Sequence, residues 1–147
     1  MNAVSSFDAA TVLAPLVQQL HQFFHHLDER RYDAMLALFT EDCRWFRQGQ
    51  WLEGQAAVRG ALEARPLGSE TRHVMTNSHV REFSQERVVL ESYMTAYRYP
   101  TPMYEGNLPL VSSPLRLNQT TTVFRRDAGY DWRIAEQQLI AIFTFSQ

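Results

Sequence analysis

The chain has 147 residues, 45% hydrophobic and 20% charged, with a formal net charge of −2 at pH 7, and this composition fits one domain, residues 1–147, around a single core. No block of basic residues favours nucleic acid or an anionic membrane as a partner, and no run reaches the ~18 apolar residues of a membrane span. A lone cysteine excludes an internal disulfide, and the N-terminus lacks the basic start of a signal peptide, so we expect a cytoplasmic protein.

The first part of the chain predicts helices. A first helix is indicated by apolar residues that recur at helical spacing: Leu13, Leu16, Val17, Leu20, Phe24 and Leu27. A second helix is predicted from Tyr32 to Phe39, with Asp42 as a residue that caps or ends it. Cys43 to Phe46 predicts a first strand, in which Cys43 is a small apolar residue rather than a nucleophile. Gly54 to Glu63 predicts a third helix.

The rest of the chain predicts β-structure. Long segments rich in β-branched and aromatic residues indicate four strands: Thr71 to Phe83, Arg87 to Tyr99, Leu115 to Arg126 and Tyr130 to Phe145. Ser84–Glu86 and Asp127–Gly129 are expected to be hairpin connections. The segment Pro100 to Pro114 contains four prolines, which predicts a long loop of the kind that often carries function. Three helices followed by four antiparallel strands predict an α+β fold, with the helices on one face of a curved sheet.

His73 is the first candidate for acid–base chemistry. Strand alternation is expected to place His73, Met75 and Asn77 on one face, which is typical of a pocket wall with one polar group. The alternative is a core histidine that donates to a neighbouring carbonyl. In the polar strand that follows the proline-rich segment, Asn118 is a further candidate for the pocket lining.

Asp28 is the second candidate. It follows Leu20 and Phe24 at four-residue steps, which places it on the shoulder of the apolar stripe, where a carboxylate could act as a general base at a pocket mouth. The alternative is a solvated charged turn formed with the residues that follow it, Glu29, Arg30 and Arg31.

No metal site is expected. His73 and His79 would lie about 20 Å apart along a strand and could not share one ion. His21 and His25 have the spacing of metal ligands but lack a third ligand and the glutamate of an HExxH motif. We therefore expect neither a metal nor another cofactor.

Two segments carry a resemblance to a known family. LDERRYDAMLALFTEDCRWF at Leu27 to Phe46 and TRHVMTN at Thr71 to Asn77 are similar to SnoaL-like domains of the nuclear-transport-factor-2-like superfamily. Within that superfamily the chain resembles scytalone dehydratase and the small subunits of ring-hydroxylating dioxygenases. The final DWRIAEQQLIAIF looks like the last strand of these families. The resemblance implies a cone-shaped, curved, mostly antiparallel sheet that encloses a pocket with three N-terminal helices.

The resemblance also implies site residues. In scytalone dehydratase-like enzymes a helix Asp and a strand His act as acid and base, and the matching positions are Asp28 and His73. The second histidine of that family would fall near Leu117 or Asn118 and its phenolic residue near Trp45 or Phe46, and this chain has neither. The base of ketosteroid isomerase-like proteins would fall near Arg47 and is also missing. Dioxygenase small subunits carry the same Asp without using it for chemistry.

Two functions are therefore expected. The first is a cofactor-independent lyase, isomerase or cyclase that binds a small hydrophobic, cyclic or aromatic ligand, with Asp28 and His73 as the catalytic pair. The pocket would be lined by a further set of residues: Trp45, Met75, Asn77, Tyr93 and Asn118. The second is a non-catalytic scaffold or binding partner of an oxygenase large subunit. In either case, apolar side chains on both faces of the long strands predict a homodimer or homotrimer that associates through the sheet face turned away from the helices.

Overall fold

The computed structural model describes residues 6–127 and 131–146. The elements, in chain order, are α1 Ser6–Asp28, α2 Tyr32–Leu36, β1 Phe39–Arg47, β2 Gln50–Glu53, α3 Gly54–Glu63, β3 Ser69–Phe83, β4 Arg87–Pro100, β5 Arg116–Arg125 and β6 Arg133–Thr144. The predicted α+β class is confirmed: helices pack on a curved, open and mostly antiparallel sheet. None of the described helices is long and apolar enough to cross a bilayer.

The first and third helices form where their apolar periodicity predicts them. In α1 the side chains of Leu16, Leu20 and Phe24 are almost completely buried, because four-residue steps keep them on one face. In α3, which has the predicted bounds, Val58 and Leu62 are fully buried.

The second helix is shorter than predicted. It ends at Leu36, and Phe39 already begins β1, so Asp42 is a strand residue and not a helix cap. The parallel pairing of β1 with β6, which starts at Phe39 and Ile134, explains the difference, because sheet pairing outweighs the local helix preference of this segment. Asp42 forms a salt bridge with Arg125 at 2.7 Å, and this lowers the pKa of the carboxyl group.

Sequence analysis did not predict β2. This strand pairs antiparallel with β1 through a two-residue turn at Gln48 and Gly49, whose φ angles are 51° and 77°. Positive φ at both central positions is the signature of the turn that joins strands with a right-handed twist. The dipeptide Gln-Gly was therefore the available signal for this hairpin.

The sheet has six strands in the order β2-β1-β6-β5-β4-β3. All neighbouring strands run antiparallel except β1 and β6, which run parallel. Alternation along β4 and β5 turns Leu90, Met94 and Phe124 towards the helices, where they are buried. The face of the sheet that carries these residues is called the inner face, and the opposite face the outer face.

Aromatic side chains fill the space between α1 and the inner face. Phe23 contacts the rings of Phe24, Phe39 and Trp45 edge-on, with centroid distances of 5.1, 5.1 and 5.8 Å. Edge-to-face pairs of this kind contribute beyond the area they bury. Cys43 lies in the same core and is 0% exposed. Burial raises the pKa of its thiol to about 11, so the group is neutral, as its interpretation as an apolar residue requires.

A bulge interrupts the alternation of β3. Asn77 has a φ of 57°, and the pairing with β4 shifts register between Thr76 and His79. After the bulge the inner side is taken by Ser78, whose hydroxyl lies 2.8 Å from that of Ser92, and by Val80, which packs on the core. An extra residue in one strand has this effect because the side-chain period is two.

The outer face exposes apolar side chains. Strand pairing places Val74, Leu117 and Phe143 in one row across β3, β5 and β6, and Tyr93 and Ile140 in the next row. Val74, Tyr93, Ile140 and Phe143 are each between 42% and 49% exposed. We refer to five residues of these two rows as the outer patch: Val74, Tyr93, Leu117, Ile140 and Phe143. The segment from 101 to 115 contains neither helix nor strand, as predicted, and also exposes large apolar residues such as Leu110.

Candidate active site

A cavity of about 280 Å³ lies between the inner face and the helices. Buried Leu27, Trp45 and Met94 line its deep part, and the exposed Gln48 and Arg98 mark its mouth. Its volume lies near the lower end of the range for small-molecule sites, which suits a ligand with one or two rings.

Asp28 and His73 meet beside this cavity: His73 lines the cavity, and both residues line a groove along α1. Asp28 is the last residue of α1, and its carboxylate Oδ1 lies 2.6 Å from His73 Nδ1. The backbone N–H of His73 donates to Asp28 Oδ2 at 2.9 Å. The side chains are only 6% and 11% exposed, so the solvated charged turn that was the alternative for Asp28 is not formed. The predicted contact between the two groups is present.

Two further residues hold the carboxylate in place. Thr71 Oγ1 donates to Asp28 Oδ1 at 3.0 Å, and Arg65 Nη2 donates to Thr71 Oγ1 at 2.8 Å. Arg65 also donates to the carbonyl of Leu27, which ties the end of α1 to the segment after α3. A buried carboxylate costs free energy unless hydrogen bonds replace its hydration, and Asp28 receives three.

This arrangement sets the orientation of the imidazole ring. The carboxylate can only accept, so the bond to Asp28 places a proton on His73 Nδ1. The ring packs against Phe24 with a centroid distance of 5.4 Å. His73 also lines the cavity, and Nε2 is the nitrogen that remains for a ligand. In the neutral ring this nitrogen carries the lone pair and can accept a proton.

The other predicted pocket residues lie in three places. Trp45 and Asn118 do line the cavity. Met75 packs on the core and lines a groove beside α1 that Asp28 and His73 also line. Asn77 and Tyr93 lie in a separate depression with His79, apart from the cavity that His73 lines. The bulge at Asn77 turns that residue outward, and Tyr93 is at an outer position of β4.

The two histidine pairs that were weighed as metal ligands are not arranged as a site. His21 and His25 are exposed along the groove beside α1. His79 lies 3.4 Å from Glu91, away from the cavity. Over residues 6–127 and 131–146, no group of three or more His, Cys, Asp or Glu side chains is placed to hold a metal ion.

Sequence analysis missed the arginines of the cavity. Arg47, Arg65, Arg98 and Arg116 all contribute to its lining. The available signal was alternation: Arg47 follows Cys43 and Trp45 at two-residue steps in β1, and Arg116 precedes Asn118 in the same way in β5. An arginine at an inward position of a strand is unusual in an apolar core and is expected to face a polar space.

With this geometry established, the chain can be compared with known proteins. It belongs to the family of SnoaL-like domains, whose model matches residues 10–138. No curated protein sequence matches it. The structure has the cone-shaped fold of nuclear-transport-factor-2-like proteins, in agreement with the resemblance carried by Leu27 to Phe46 and Thr71 to Asn77.

Three solved structures illustrate the likeness. A scytalone dehydratase-like protein from Novosphingobium aromaticivorans is 19% identical, with a TM-score of 0.73 over 92% of this chain and 87% of that one. A type 2 hexachlorocyclohexane dehydrochlorinase (LinA) is 16% identical, with a TM-score of 0.73 over 96% and 92%. An aromatic ring hydroxylase-like protein, also from N. aromaticivorans, is 16% identical, with a TM-score of 0.70 over 89% of each chain. At these identities the likeness shows the fold.

Proposed function

We propose that this protein is a cofactor-independent acid–base enzyme, a lyase or isomerase that acts on a small cyclic or aromatic molecule. The observation that carries the proposal is the buried Asp28–His73 pair, in which Asp28 Oδ1 lies 2.6 Å from Nδ1 of the imidazole that lines the cavity. Proton transfer by a positioned histidine is a common source of rate enhancement, about 10²–10⁴-fold.

The proposed reaction begins with His73 Nε2 as the base. It takes a proton from a C–H group of the bound molecule and becomes an imidazolium ion, which the Asp28 carboxylate stabilises. In an isomerase the proton returns to another carbon of the substrate. In a lyase it goes to the leaving hydroxyl, which departs as water while the electron pair of the broken C–H bond forms the C=C bond.

Two groups of the lining support the developing charge. Trp45 lines the cavity, and its buried Nε1 has no hydrogen-bond partner among the described residues, so we propose that this N–H donates to a substrate oxygen. Asn118 is 5% exposed and lines the same cavity, and its amide can donate as well. Preorganised donors of this kind stabilise an enolate or alkoxide as it forms.

Hydrogen exchange tests the proposal without knowledge of the natural substrate. A panel of small cyclic and aromatic ketones and hydroxy compounds is incubated with the protein in D₂O, and NMR measures deuterium incorporation at carbon. We expect the wild type to exchange at least one compound, and His73→Gln to lose about 10²–10⁴-fold of that rate. Asp28→Asn is expected to lose a similar factor, because an amide N–H directed at Nδ1 favours the tautomer that carries its proton on Nε2.

The matched control is His79→Gln. It changes the same residue type in the same strand, but at a 60% exposed side chain outside the cavity. A wild type that exchanges no member of the panel contradicts the proposal, and so does a His73→Gln variant that keeps the wild-type rate. Equal losses in the His73 and His79 variants would also contradict it, because they would indicate a general effect on folding.

A second candidate function is supported by the outer patch. Such a surface suits a scaffold or binding partner of a ring-hydroxylating oxygenase large subunit, in which Asp28 and His73 only satisfy each other. Under this alternative, light scattering would show a mixed complex with such a subunit. The complex would be weakened by substitutions in the outer patch and unchanged by His73→Gln.

A further inference from the structure

The charge of the cavity differs from that of the whole chain. The protein has a net charge of −2, and all of its 14 Lys and Arg residues are arginines. Four of them line this one cavity, and no Asp or Glu of the described residues lines it beside them. Positive charge that is partly removed from water needs a counter-charge, and the Asp28 carboxylate beside the cavity is already bonded to Thr71 and His73.

The four arginines differ in their hydrogen bonds to other residues. Arg65 donates to Leu27, Tyr32 and Thr71. By contrast, Arg47 and Arg116 form no side-chain hydrogen bond or ion pair within residues 6–127 and 131–146. Buried nitrogens of both, Nη1 of Arg47 and Nε of Arg116, are left without a partner. Because buried donors are nearly always paired, unpaired donors on two arginines that line one cavity indicate an acceptor that the protein does not provide.

The surroundings of Arg47 also indicate a missing anion. Its guanidinium lies 4.8 Å from the centroid of the Trp45 ring, which holds it against the cavity wall. Burial, together with the nearby charge of Arg65, lowers its pKa. An anion beside the Arg47 guanidinium would replace its missing hydration and offset the repulsion from Arg65.

Strand pairing gives the spacing between the base and the arginine. His73 pairs with Ala96, and Ala96 pairs with Arg116, so the three lie in one row across β3, β4 and β5. Two strand spacings separate His73 from Arg116, about 10 Å between Cα atoms. Ala96 is the small residue between them and lines the cavity, so the space above it is free for a ring.

From these observations we propose that the ligand of the cavity is a small cyclic or aromatic carboxylate, whose acid group is bound by Arg116 and Arg47 while its ring lies over Ala96 beside His73. The planar, forked guanidinium group matches a carboxylate with two parallel hydrogen bonds. This assignment names the substrate class of the proposed function and rests on it only in treating the cavity as the substrate site.

Titration calorimetry with an isosteric pair tests the assignment. Benzoate and benzamide have nearly the same shape and differ in charge, and inorganic phosphate provides an anion without a ring. We expect benzoate to bind at least about tenfold more tightly than benzamide or phosphate. Arg116→Gln and Arg47→Gln should each weaken benzoate binding by about tenfold or more and leave benzamide binding almost unchanged. Arg116→Lys should recover part of the loss, because it keeps the charge but not the fork.

Arg44→Gln is the matched control. Arg44 belongs to the same strand as Arg47 but forms salt bridges with Glu53 and Glu136 away from the cavity. The proposal is overturned if benzamide binds as tightly as benzoate, if phosphate binds as tightly as benzoate, or if Arg44→Gln weakens binding as much as Arg47→Gln.

The outcome separates this assignment from the proposed function. Selective benzoate binding without any deuterium exchange would support the assignment and contradict the enzyme. Deuterium exchange confined to uncharged compounds would support the enzyme and contradict the assignment of a carboxylate ligand.

Discussion

The two ends of the inner face differ in chemistry although the same strands form both. At the closed end, Leu90, Phe124 and Ile134 are 0% exposed and belong to the apolar core. Towards the mouth, β4 continues to Ala96 and Arg98, and β5 begins with Arg116. These residues keep the same inward alternation but line a cavity. One end of the inner face therefore supplies stability, and the other is free to bind. Substitutions at the two ends should therefore have separable effects.

The largest effect on stability is expected at the closed end. Phe124→Ala should lower the free energy of unfolding by about 3–5 kcal/mol, because it removes a fully buried ring and leaves a cavity. Urea unfolding followed by fluorescence measures the change. Arg116→Gln, eight residues earlier in the same strand, should cost less than about 1 kcal/mol. A larger loss in the Arg116 variant would show that the mouth also carries stability.

The outer face extends the comparison. We propose that the outer patch joins two or three copies of the chain, since rows of half-exposed apolar side chains favour association. Replacing Ile140 and Phe143 by Ser should weaken association about a hundredfold, roughly 2–3 kcal/mol. Light scattering over a concentration series measures the shift towards monomer. The control is Leu110→Ser, which removes a 99% exposed side chain outside the patch. A wild type that is monomeric at micromolar concentration contradicts the proposal.

The smallest of the three effects is expected at the bulge of β3. Asn77→Val should cost about 1–2 kcal/mol, because a β-branched residue tolerates the φ of 57° poorly. Asn77→Gly is the control and should be nearly neutral, since glycine adopts positive φ without strain. Thermal unfolding compares the two variants. Equal destabilisation by Val and Gly would show that the Asn77 side chain, and not its backbone, holds the bulge.

Sequence analysis succeeded where a single periodicity governs the local structure. The bounds of α3 and the meeting of Asp28 with His73 follow from helical and strand spacing, together with the family resemblance. Asp28 follows the helical spacing of α1, and His73 lies in β3 before the bulge at Asn77, where strand alternation is undisturbed. Their contact needed no knowledge of distant pairing beyond α1 packing on β3.

The remaining features depend on contacts that are distant in the chain. Phe39 joins the sheet only because β6 arrives beside it, so the helix predicted up to that residue is too long. Asn77 leaves its predicted face because a bulge cannot be recognised from alternation alone. The shared cavity of Arg47 and Arg116 requires β1 and β5 to flank β6, an order that spacing does not specify.

The position of β6 has a consequence for how the chain folds. This strand joins the β1–β2 hairpin to the β3–β4–β5 sheet, and its parallel partner Phe39 lies far from Ile134 in sequence. Closing so long a loop costs entropy before any contact repays it, so the pairing of β1 with β6 is expected to be a slow step. Until β6 is synthesised and docked, both sheet fragments present unpaired edges. During translation the nascent chain would therefore hold two half-sheets, which β6 joins around the cavity.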